Sequence, residues 1–282
     1  MSVQRLRPTT PRGASIAALL AVPRRLLGAL ALFCLPVCAF SGETFDRIQS
    51  EQSLRVCIWP LRQGLTMRDW RTQTLSGVDI ELSQELAKSL GVRILYVDST
   101  YATMTQDLEQ GRCDIAMFGL TIRPVLQSSA IAYSQPYLYS SVYAVTMKGN
   151  QTISTWQDVD QPGVMIGVLD SSIAEVWVKQ HFKRATTVLV GSPNTREKEL
   201  QAGRIDLFLT DQIFGRRVTE VFDWVSVLPP KADGPKLHFG YAVKANDAEW
   251  LKTVNQFIDA VRQDGKLAAA ARQYGLSSML EE

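Results

Sequence analysis

Residues able to do chemistry gather just after short apolar runs. Gly119 follows the run 114–118, and Thr121 and Arg123 come directly after it. A hydroxyl, free backbone amides and a guanidinium therefore stand at the carboxyl end of what reads as a buried strand, the end at which open α/β sheets take ligands. Residues 203–211 repeat the logic: helix end, acid, apolar run, then a polar tip formed by Thr210 and Asp211. Asp170, Ser171 and Ser172 sit between an apolar run, 164–168, and a helical segment, 173–182. Small polar residues there either direct free amides and the positive helix end at an anion, or simply cap the helix. His181 and His238 make no metal-binding pattern, and no nucleophile motif appears.

The elements that must position these residues alternate. Residues 54–59 read as a first strand, stopped by Pro60; residues 61–76, with Arg62, Arg68, Trp70 and Arg71, have no clear period and read as a loop or hairpin at the mouth of the site. Gly77 opens a helix with Ile80, Leu82, Leu86 and Leu90 at helical spacing and Gly91 at its end. Asp79 reads as a helix-start or loop-fixing acid, with ligand contact as the alternative. Strand 93–97, helix 104–110 and strand 114–118 complete an α/β alternation that demands a parallel sheet with right-handed crossovers. Tyr101 lies in the loop at the same end as Gly119. An extended run, 138–147, leads to a second alternation from residue 153, and two helices, 250–264 and 266–274, close the chain.

Composition bounds the partners. The 282 residues carry 30 basic and 28 acidic side chains, 46% apolar residues and four cysteines. Residues 1–41 hold five of the arginines and no acid, followed by an apolar run, 26–40, which is short for a span of about 20 residues. This is the pattern of a secretory signal. Three variants stay open: acylation at Cys38 in Leu35-Pro36-Val37-Cys38, a twin-arginine signal at Arg24-Arg25, and an uncleaved anchor. Without this segment 25 basic face 28 acidic residues, so no basic patch points to nucleic acid. Cys57 and Cys113 remain, either as a disulfide in an oxidising compartment or as two buried thiols.

Taken in order, GRCD (111–114), AMFGLT (116–121) and YSQPY (133–137) resemble the core signature of the type II periplasmic solute-binding proteins, the bacterial extracellular solute-binding family 3 that includes receptors for polar amino acids. GVDIEL (77–82), GRIDLFLTD (203–211) and the ending from Asn255 to Leu276 extend the resemblance over 54–276. It implies an α/β fold of two parallel-sheet lobes joined by two hinge crossovers, with residues 46–144 and 241–282 in one lobe, 145–240 in the other, and a return crossing at 239–244. It also implies a monomer in the periplasm, without a cofactor, that binds a small polar solute and serves the permease of an ABC transporter.

The expected ligand contacts are Trp59, Tyr101, Gly119, Thr121 and Arg123 on one lobe and Ser171, Ser172 and Asp211 on the other, with core packing or exposed wall as the alternative for Trp59 and Tyr101 and a structural carboxylate as that for Asp211. Thr121 and the Gly119 backbone would bind an acidic group and Asp211 an ammonium, with the aromatic rings over apolar parts. One departure is informative. The family's T-P-E-R segment reads Arg123, Pro124, Val125, Leu126 here, so its ligand-gripping arginine is a leucine. A carboxylate buried without a guanidinium costs several kcal/mol. Either Arg123 reaches in from another angle, or it faces solvent and the solute is a cation, a neutral solute or a modified amino acid. The same fold also carries periplasmic cyclohexadienyl and arogenate dehydratases, and receptors read by partners other than transporters.

Overall fold

The computed structural model describes residues 42–122, 130–169, 172–191, 194–231 and 234–280. The leader, Arg123, Leu126, Asp170 and Ser171 therefore lie outside the described residues. The chain begins with α1 (Glu43–Glu51) and β1 (Ser53–Ile58), then a small antiparallel sheet of β2 (Leu61–Arg62), β3 (Thr66–Arg68) and β4 (Leu75–Ser76). Next come α2 (Val78–Leu90), β5 (Arg93–Asp98), α3 (Met104–Glu109) and β6 (Ile115–Thr121). Helix α2 buries Ile80, Leu82 and Leu86 and ends at Gly91, whose φ of 69° suits a residue without Cβ. Strand β1 pairs in parallel with both β5 and β6, as the alternation predicts.

The chain then passes through β7 (Ile131–Tyr133) and β8 (Leu138–Ser141) and changes sheet at Val142, since β9 (Tyr143–Met147) pairs elsewhere. The second sheet is built from β9, β10 (Met165–Leu169), β11 (Thr186–Val190), β12 (Leu207–Thr210) and β13 (Val225–Leu228), in the order β11-β10-β12-β9-β13. Helices α4 (Ile173–His181), α5 (Arg196–Gln201) and α6 (Gln212–Val221) connect its strands. The return strand β14 (Lys236–Lys244) lies in the first sheet, ordered β5-β1-β6-β14-β7 with β8 also on β14. Helices α7 (Ala248–Gln263) and α8 (Lys266–Gln273) pack back on that sheet's side of the molecule.

Each sheet thus has a parallel core flanked by antiparallel strands. Strand β14 runs antiparallel to β6, and β9 antiparallel to β12 and β13, because these strands enter from the opposite lobe. Two expectations change. Residues 236–240 belong to the first sheet, with Phe239 paired to Thr121, so the return crossing precedes Lys236 and does not fall at 239–244. Gly119 also does not end its strand. It sits inside β6 at φ +66°, and the register against β14 shifts between Gly240 and Ala242, a bulge that the glycine makes possible.

Packing fixes the first lobe from both faces. Trp250 of α7 is fully buried and its indole N–H donates to the Asp114 carbonyl at 2.8 Å, tying the helix to the start of β6. Tyr137 and Tyr241 stack with centroids 4.4 Å apart. Cys57 of β1 and Cys113, just ahead of β6, are joined by a disulfide across a Cα separation of 5.5 Å, both buried.

Candidate ligand-binding cleft

The residue at the contact between the two lobes is Arg62, and its position comes from backbone hydrogen bonds of the hairpin. The Arg62 N–H donates to the Trp59 carbonyl at 3.2 Å, and the Thr66 hydroxyl donates to that same oxygen at 2.7 Å. A helix leaves its first amides without intrahelical partners. In α2 the Val78 N–H donates to the Gly64 carbonyl at 2.9 Å and the Asp79 N–H to the Leu65 carbonyl at 3.1 Å. The hairpin is therefore pinned to the helix start.

Leu65 then fills the space beneath Gly119. A Cβ on Gly119 would stand 2.2 Å from Leu65 Cδ1 and 3.2 Å from an Arg62 guanidinium nitrogen, so only glycine admits both neighbours. Tyr101 closes the other side. Its hydroxyl donates to the Gly119 carbonyl at 3.0 Å, and its ring meets Trp59 and Phe118 edge to face at 5.2 and 5.4 Å. Trp59, Tyr101 and Gly119 are thus brought together around Arg62. Thr121, half-buried, closes β6 opposite Phe239.

From the second lobe, Asp211 caps α6, its Oδ1 accepting the Phe214 N–H at 2.9 Å. Its Oδ2 lies 3.4 Å from Arg62 Nη2, with the two side chains 10% (Arg62) and 15% (Asp211) exposed. Burial alone would lower the Arg62 pKa, but the Tyr101 phenol and the Asp211 carboxylate outweigh it and raise it above the ordinary guanidinium value. A second guanidinium stands close by. Arg196, at the start of α5, donates to the Leu209 carbonyl at 2.6 Å and lies 5.0 and 5.1 Å from the ring centroids of Phe208 and Phe214. Burial lowers its pKa, offset in part by Glu197 and Asp211. Ser172 is spent on its own helix, its hydroxyl accepting the Glu175 N–H at 3.3 Å.

Sequence reasoning places Arg62 in a loop or hairpin at the mouth of the site but does not name it as a binding residue, because no periodicity marks 61–76; it does not single out Arg196. Among the described residues no group of three or more His, Cys, Asp or Glu could hold a metal ion, and no helix is long and apolar enough to cross a membrane.

Two α/β lobes, each offering charged groups to a shared cleft, define a two-lobed solute-binding protein. The chain belongs to the bacterial extracellular solute-binding proteins, family 3, whose model matches residues 54–277. It is 27% identical over 256 residues to the cyclohexadienyl dehydratase of Pseudomonas aeruginosa, covering 86% of this chain and 91% of that one. It is also 27% identical over 201 residues to the L-cystine-binding protein TcyJ of Escherichia coli, covering 71% and 74% respectively. Among solved structures, the ancestral amino acid-binding protein AncCDT-1, described as a precursor of cyclohexadienyl dehydratase, is similar with a TM-score of 0.70 and 25% identity. That match covers 82% of this chain and 99% of the other.

Proposed function

We propose that this protein is a periplasmic receptor for a small zwitterionic solute of amino-acid type, held between Arg62 and Asp211 and delivered to an ABC transporter permease. The observation that carries the reading is the pair itself: two nearly buried, opposite charges from facing lobes, 3.4 Å apart. A solute bearing a carboxylate and an ammonium offers each group a new partner. A solute with only one charge leaves the other buried group unpaired, which costs about 3–5 kcal/mol. Contacts from both lobes favour the closed state. Arg62 in this reading supplies the guanidinium that the sequence lacks at Leu126. With Arg62 and Arg196 both at the cleft, a neutral or acidic side chain suits the solute better than a cationic one. Residues 1–41 act as the export signal, and the receptor works as a monomer.

A thermal-shift assay tests this with L-glutamine, L-glutamate, L-arginine, putrescine and succinate. A ligand at 100 times its Kd stabilises the native state by about 2.7 kcal/mol. L-Glutamine or L-glutamate should raise the melting temperature, and Arg62→Gln should abolish the rise. A response to putrescine or succinate alone defeats the zwitterion reading.

The similarity to cyclohexadienyl dehydratase over 91% of that enzyme supports a second reading, a dehydratase of the same fold. Incubation with prephenate separates the two: a dehydratase yields a product absorbing in the near ultraviolet, and a receptor leaves prephenate unchanged.

A further inference from the structure

The strand order of the second sheet puts Arg196 where a ligand belongs. From β10 the chain turns through α4 to β11, and from β12 it turns the other way through α6 to β13, so the order β11-β10-β12-β9-β13 places the change of direction between β10 and β12. Outside the carboxyl ends of two such strands lies the crevice in which open α/β sheets hold ligands. Strands β10 and β12 pair at Ile166 with Leu207 and at Gly167 with Phe208. Arg196 Nη1 donates to the next carbonyl along β12, that of Leu209, at 2.6 Å.

The guanidinium is held there without being used up. The Phe208 and Phe214 rings flank it, with centroids at 5.0 and 5.1 Å. Its Nε and Nη2 donate to no group among the described residues, and neither nitrogen is sealed from solvent. Arg62 has Asp211 Oδ2 at 3.4 Å, whereas Arg196 forms no ion pair among the described residues. A half-buried cation with free donors and no carboxylate is a ready partner for an anion.

Asp211 stands within reach of the same solute. Phe214 touches both residues: its ring packs on Arg196, and its N–H donates to Asp211 Oδ1 at 2.9 Å. Leu209, which anchors Arg196, precedes Asp211 by two residues, about 7 Å of extended chain. One amino-acid solute can span that interval.

We propose that Arg196 is a specificity-determining residue for a second acidic group, so that the preferred solute is an acidic amino acid with its ammonium at Asp211, its α-carboxylate at Arg62 and its side-chain carboxylate at Arg196. This rests on the reading that a zwitterion divides Arg62 from Asp211. A neutral side chain would leave the Arg196 charge without a partner. An acidic one supplies it.

Calorimetric titration with L-glutamate and L-glutamine tests the assignment. The wild type should bind L-glutamate at least about tenfold more tightly, as expected for a hydrogen bond between charged groups. Arg196→Met keeps an unbranched apolar stem between the two rings; it should erase the preference while L-glutamine binding persists, and Arg196→Lys should recover part of it. A merely structural tie between α5 and β12 would instead weaken both amino acids alike. Equal wild-type affinities, or an unchanged ratio in Arg196→Met, overturn the proposal. A second arm follows the Arg196 Nε–H resonance by nitrogen-15 NMR, identified by its absence from Arg196→Met, during titration with L-glutamate and with glutarate, which has no ammonium. The resonance should shift with L-glutamate, and a resonance unmoved by both compounds overturns the proposal. If neither amino acid binds but glutarate moves the resonance, the receptor reading fails and the anion subsite at Arg196 stands. If L-glutamine binds and no dicarboxylate moves it, the receptor reading stands and the subsite falls.

Discussion

Arg62 Nη2 lies 3.4 Å from Asp211 Oδ2, although 149 residues separate the two in the chain. One comes from a three-strand hairpin beside the first sheet, the other from a helix cap on the second. The contact therefore reports the approach of two lobes, and any solute that divides it must satisfy both charges.

Removing either partner should be costly in different ways. Arg62→Gln leaves Asp211 with its cap bond to Phe214 intact, so the expected result is lost solute binding with a folded protein. Asp211→Ala also removes a helix cap worth about 1 kcal/mol, so it should lose binding and lower the melting temperature of the free protein. Calorimetry and thermal unfolding of the two variants check this.

Gly119→Ala should be strongly destabilising. The position has φ +66° and its Cβ would overlap Leu65 Cδ1 at 2.2 Å, so backbone strain adds to overpacking of about 1–3 kcal/mol. Urea unfolding should show a lower midpoint, and solute affinity should fall because Arg62 is displaced by the same methyl group.

The disulfide joins residues 56 apart in sequence. Loop closure of that length corresponds to about 4 kcal/mol of stabilisation in the chain-entropy treatment. A Cys57→Ala, Cys113→Ala double variant should shift the urea midpoint down by an amount of that order, and reductant should do the same to the wild type but leave the variant unaffected.

Affinity should also respond to residues outside the cleft. From α6, the Arg216 guanidinium donates to the Gly275 carbonyl at 2.6 Å and Arg217 to the Leu61 carbonyl at 3.4 Å, both across to the first lobe. The Gln212 N–H meets the Ser140 hydroxyl at 2.9 Å. Arg216→Ala should weaken solute binding by roughly threefold to tenfold, the equivalent of one hydrogen bond, by shifting the population toward an open form. Small-angle scattering of the free variant should show a larger radius of gyration than the wild type.

Much of the fold is legible in the sequence because it is periodic. Strands β1, β5 and β6 and the helices between them follow from apolar spacing and from Gly91 and Gly111, and residues 203–211 show Asp211 at a strand tip. The role of Arg62, beyond its lying in a loop at the mouth of the site, is not legible, for a physical reason. Its place depends on the carbonyls of Gly64 and Leu65 meeting the start of α2 and on Leu65 entering the space left by Gly119, contacts of shape that no local period records. Gly119 misleads in the same way: a glycine inside an apolar run reads as a stop, whereas β14 on the neighbouring side lets the strand continue through a bulge. Asp79 is visible as an acid at a helix start, but that its cap role is taken by backbone carbonyls appears only in three dimensions.

The strand order of the first sheet has a bearing on how the polypeptide is made. Strand β14 lies between β6 and β7 and also carries β8, yet it emerges only after every strand of the second sheet. The second sheet, residues 143–228, is contiguous in the chain and can close before β14 has been made. The earlier sheet waits with the flank of β6 uncovered, a non-local pairing that folds slowly and attracts wrong partners. Completion of the first sheet thus depends on a strand that follows the whole of the second sheet in the chain.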